Sequence, residues 1–98
     1  MDLAEEVYIA QRKKDTKTAE KWAKKSFELE KKAAMLLVND YNMEPTRSVL
    51  FKGAASLAIN AKLYREAEQM IGFALSGNPP IEINEELKNL LLEINARR

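Results

Sequence analysis

Apolar residues recur three and four positions apart through most of this chain, the spacing that lines one face of an α-helix. Leu3, Val7 and Ala10, with Ala4 and Tyr8 beside them, predict an amphipathic helix over 3–14; Asp2 suits its N-cap, and Glu5 and Glu6 suit the positive end of its dipole. Asp15 to Thr18 can cap and break the chain there, although without a Gly or Pro to enforce it a single helix over 3–38 is the rival expectation. A second helix is expected over 18–39. Ala19, Ala23, Phe27, Ala34 and Leu37 form one apolar row and Trp22, Leu29, Ala33 and Leu36 an adjacent one, together broad enough to meet two neighbouring helices.

The stretch from Pro45 to Pro80 reads as a tight helical pair around which the rest is arranged. Residues 39–44 have loop composition, and Pro45 fits the first turn of a helix over 46–60. Val49, Leu50, Ala54, Leu57 and Ala58 are expected on the inner side of that helix, and Gly53, Ala54, Ala55 and Ala58 predict a close approach by another helix. A helix over 64–76 follows, with Ala67, Met70, Ile71, Ala74 and Leu75 inward. Gly72 inside it implies tight packing overhead, because a helical glycine costs about 1 kcal/mol relative to alanine. Gly77 is expected to close this helix in a left-handed conformation before Pro79 and Pro80. A last helix over 80–95 places Ile83, Leu87, Leu90, Leu91 and Ile94 on one face.

The segment 48–80 resembles the tetratricopeptide repeat, a helix pair of about 34 residues with bulky and small side chains at set positions. Tyr64 matches the aromatic that opens the second helix, and Ala67, Ile71, Ala74 and Pro79 match the later positions; Phe51 falls on the tryptophan position and Ala55 on the small one. Ala54 and Ala58 replace the Leu and Tyr of the pattern. The resemblance implies an all-α protein: a five-helix antiparallel α-hairpin array, a right-handed superhelix of about two helix pairs plus a capping helix, over a single domain 1–98. A helix pair alone cannot hide its apolar side, so stacked pairs share one. The expectation is a marginal monomer, a homodimer, or a piece of a larger protein.

Composition narrows the chemistry. The chain has 98 residues, 46% hydrophobic and 32% charged, with no Cys and no His. Disulfides, thiolate metal sites, cysteine nucleophiles and imidazole bases are thereby excluded. No Gly-rich phosphate loop or HExxH motif occurs, and the carboxylate pairs Glu5/Glu6 and Glu85/Glu86 sit at predicted helix starts, where the dipole accounts for them. The expectation is no enzyme, no cofactor and no metal. No apolar run nears the roughly 18 residues of a membrane span, and an acidic beginning without a basic, then apolar, leader predicts a cytoplasmic protein.

Two binding surfaces are predicted. In tetratricopeptide arrays the first helix of each pair lines the groove that receives a peptide, and Lys52, Ser56 and Asn60 make a polar stripe there at four-residue spacing. Lys52 and Ser56 fall where relatives that grip a C-terminal carboxylate use Lys and Asn, and Ser56 departs from that pair. Docking of a partner helix or peptide on the inner faces, or self-association, is the leading expectation. The second surface lies in 12–32, where Lys21, Lys24, Lys25, Lys31 and Lys32 crowd one helix side although the whole chain carries only +1. Such a run ordinarily serves as a solvated face. With Trp22 as a stacking platform it would bind nucleic acid.

Overall fold

The computed structural model describes residues 16–98, and among them the chain forms four helices and no strand. They are α1 (Thr16–Met35), α2 (Thr46–Asn60), α3 (Tyr64–Leu75) and α4 (Ile81–Arg97). The all-α class holds, whereas the five-helix array is corrected to four helices among the described residues; the helix expected over 3–14 lies outside them. The helix expected over 18–39 begins at Thr16 and stops at Met35. Leu37, Val38 and Asp40 then donate to carbonyls three residues back, tightening the chain into successive turns that redirect it toward α2.

Packing centres on α2, which α1 covers on one side and α3 and α4 on the other. This two-sided burial corrects the expected inner face. Phe51, Ala54, Ala55, Ala58 and Ile59 are buried together with Arg47 and Ser48, whereas Val49 is 45% exposed. The alanines expected to receive an outside helix are consumed internally: Ala54, Ala55 and Ala58 have no exposed surface, and a side chain on Gly53 would meet Glu30 of α1. Without long side chains between them the helix backbones approach closely, and each alanine buries its methyl with no loss of rotamer freedom. Larger groups fill the remaining core, among them Phe27, Met70, Ile71, Leu87 and Ile94. Phe51 and Phe73 meet as tilted rings with centroids 5.5 Å apart.

Helix ends are held by local devices. At the start of α2 the Glu44 carboxylate accepts from the Ser48 amide at 3.0 Å and also from the Ser48 hydroxyl, so the first turn is capped from outside the helix. At its end Lys62 takes φ 61°, and the Leu63 and Lys62 amides donate back to Ala58 and Ile59, a Schellman closure without glycine. Gly77 does not adopt the left-handed conformation expected of it. Gly72 is exposed and nothing lies within 4 Å of where its Cβ would be, so the tight packing expected over it is absent.

Candidate functional site

Lys52 and Ser56 lie one turn apart on α2 and face α4, whose residues Glu86, Asn89 and Leu90 share the opposing side at helical spacing. Together the five line an open furrow of about 290 Å3 with Leu90 as its apolar element. Lys52 pairs with Glu86 across it, and the side chains remain 29% and 52% exposed. A negatively charged group entering the furrow therefore meets Lys52 already engaged by a carboxylate. Ser56 and Asn89 add hydroxyl and amide groups that can both donate and accept. Asn60, the last residue of α2, lies one turn further on and is not part of the lining. The predicted stripe is thus split: Lys52 and Ser56 join α4, and Asn60 stands apart.

The α4 contributors were not expected: Glu86 was accounted for by the dipole at a helix start, and Asn89 lies off the apolar row of that helix. Nor was Arg47 expected. This cation sits in the first turn of α2, against the dipole preference, and is entirely buried. Its Nε and Nη2 donate to the Val38 carbonyl at 3.2 and 3.0 Å, in the turns that follow α1. The guanidinium carbon lies 4.9 Å from the Tyr41 ring centroid and 5.2 Å from that of Phe51, so two aromatic faces flank the charge. Nη1 has no hydrogen-bond partner, and it points at Gly77, where an added Cβ would sit 2.2 Å away. Arg47 therefore ties the turns after α1 to the start of α2 and lies against Gly77 in the α3–α4 connection. Its only prior signal was a cation at the wrong end of a helix.

The lysine face is present as a surface. Lys21, Lys24, Lys25 and Lys32 are exposed and Lys31 is half-buried. Trp22 is half-buried, and the Lys25 ammonium lies over its ring at 5.0 Å. Lys31 lies over Phe27 at 5.9 Å. The indole face that would have to stack on a base thus already carries a lysine.

Among the described residues no cluster of acidic side chains is arranged to hold a metal ion, and no helix is long and apolar enough to cross a membrane. Compared with models of known protein families, with curated proteins and with solved structures, the chain matches none.

Proposed function

We propose that this protein is a non-catalytic interaction module that takes an extended polar peptide in the furrow between α2 and α4. The observation that carries this reading is the convergence of Lys52, Ser56, Glu86 and Asn89, from two helices, around Leu90. An opposed cation and anion beside groups that both donate and accept suit the alternating N–H and C=O of a peptide backbone. The tetratricopeptide resemblance over 48–80 supports the same reading, since of the residues that carry it Phe51, Ala55, Ala67, Ile71 and Ala74 are buried and Tyr64 and Pro79 half-buried. Burial of Gly53's neighbours inside the fold directs binding away from a partner helix pressed on α2 and toward a narrower occupant of the furrow.

The test is selection of peptides from a random library on the intact chain, followed by mapping of amide shifts. Selected peptides are expected to move Lys52, Ser56 and Asn89, and Ser56→Arg is expected to abolish binding while leaving the fold intact. Peptides that map elsewhere, or binding that survives Ser56→Arg, would refute the reading.

A further inference from the structure

The outer side of α1 carries a seam that the core formed by the described residues does not use. Trp22, Leu29 and Leu36 recur seven residues apart, with Ala33 beside them, and Leu29 and Leu36 are 57% and 80% exposed. Trp22 and Leu29 stand on α1, about 10 Å apart at 1.5 Å per residue, and Leu36 follows directly after its last residue, Met35. Seven-residue spacing of apolar side chains along a single face is the pattern that seats a second helix. Beside its C-terminal end lies an open depression of about 630 Å3 lined by Glu28, Lys31, Lys32, Ala33, Met35 and Leu36.

The charges decide the occupant. α1 holds six lysines and three glutamates. Of the glutamates, Glu20 is turned to Lys62 at 2.8 Å and Glu30 lies over Gly53, so Glu28 is left among the lysines of the outer face. Lys21, Lys25 and Lys32 follow one edge of the seam, all exposed. A second copy meeting it through α1 would set these lysines against their own equivalents. A second copy meeting it through α4 could offer exposed Ile81 and Leu92, but on that face the exposed carboxylate of Glu85 is offset by Lys88, and Glu86 and Glu93 are engaged by Lys52 and Arg97. Among the described residues, neither the α1 face nor the α4 face brings net negative charge to these lysines. We propose that the α1 seam docks an acidic amphipathic helix of a partner protein, its apolar side on Leu29, Ala33 and Leu36 and its carboxylates against Lys21, Lys25 and Lys32. This surface is separate from the α2–α4 furrow, so either proposal can fail alone.

Two synthetic helical peptides with the same leucine seam, one flanked by glutamate and the other by lysine, provide the probe. Titrated onto the intact chain and followed by Trp22 fluorescence and calorimetry, the glutamate peptide is expected to bind about tenfold or more tightly than the lysine peptide and to weaken as salt rises. Leu29→Ser with Leu36→Ser is expected to abolish binding at an unchanged melting temperature. Lys21→Glu, Lys25→Glu and Lys32→Glu together should reverse the preference. The proposal is overturned if neither peptide binds, if both bind equally, or if the chain alone gains mass with concentration through this seam. It is overturned also if the double serine variant melts markedly lower, which would mean the seam is covered within the chain, or if a single-stranded oligonucleotide binds this face and the glutamate peptide does not.

Discussion

Substituting Gly77 by alanine isolates the role of Arg47, because the residue it disturbs is distant in sequence and the backbone at 77 does not require glycine. With no positive φ there, alanine is conformationally permitted, and in an open site it would stabilise by about 0.4–1 kcal/mol through the unfolded chain. Here its Cβ would stand 2.2 Å from Nη1 and 3.1 Å from Cζ of Arg47. A surface arginine would swing aside at little cost. This one has no exposed surface, is held by both hydrogen bonds to Val38 and is flanked by Tyr41 and Phe51. Moving it breaks one or both of these hydrogen bonds, each made by a charged donor and contributing about 1.5–3 kcal/mol, and leaves a half-buried carbonyl short of a partner. Set against the gain in the unfolded state, the expected loss for Gly77→Ala is about 2–3 kcal/mol.

Steric conflict with one side chain makes a sharper claim than destabilisation alone. In an Arg47→Met background the flexible thioether can yield to the new methyl, so Gly77→Ala is expected to change stability by no more than about 0.5 kcal/mol. Urea unfolding of the four proteins, with a shared m-value, gives the coupling directly, expected at about 2 kcal/mol or more. A Gly77→Ala variant as stable as the parent would refute the reasoning. So would an equal penalty in both backgrounds, since it would place the cost in the α3–α4 backbone and not in the guanidinium.

Three further perturbations address single contacts. Gly72→Ala should raise stability by about 1 kcal/mol, because the position is helical and open, and thermal or urea unfolding will register it. Glu44→Ala should cost about 1–2 kcal/mol by removing the acceptor for the amide and hydroxyl of buried Ser48, an effect that Glu44→Gln should partly restore. Lys62 is held above its ordinary pKa of 10.5, first by its hydrogen bond to Glu20 and then by that residue's charge. A raised folded value means that the pair's contribution is complete below 10.5 and is lost as pH climbs through the folded value. NMR titration of Lys62 should show its midpoint falling toward 10.5 in Glu20→Gln, and an unmoved midpoint would remove Glu20 as the cause.

What could be read in the sequence was what periodicity and punctuation encode. The last three helices follow from the spacing of residues such as Phe51, Ala67, Ile71, Leu87 and Ile94, and from Pro45 and the 77–80 stop, to within a residue or two. Glycine was the misleading signal. Gly72 suggested close packing and is open, Gly77 suggested a left-handed cap and instead clears room for Arg47, and the left-handed residue that closes α2 is Lys62. A lysine there is tolerated because the local Schellman hydrogen bonds fix the backbone and Glu20, distant in sequence, receives the ammonium. The candidate site was half legible for a similar reason: helical spacing groups Lys52 with Ser56, but only tertiary packing sets Glu86, Asn89 and Leu90 opposite.

The two surfaces have one origin. α2 is covered from both sides, and where α4 leaves a furrow beside it Lys52 and Ser56 become part of a cleft. Among the described residues α1 packs chiefly on α2, through Ala19, Ala23, Phe27 and Ala34, which leaves its second apolar row outside. That row was expected to merge with the first into one broad buried face. Phe27 and the alanines satisfy α2 by themselves, so among the described residues Leu29 and Leu36 contribute little to the core. Exposed leucines at seven-residue spacing lower solubility without stabilising the fold, so a chain with no use for them would gain by carrying polar residues there. Leu29→Ser and Leu36→Ser, neutral for stability and decisive for the acidic helix, separate these explanations.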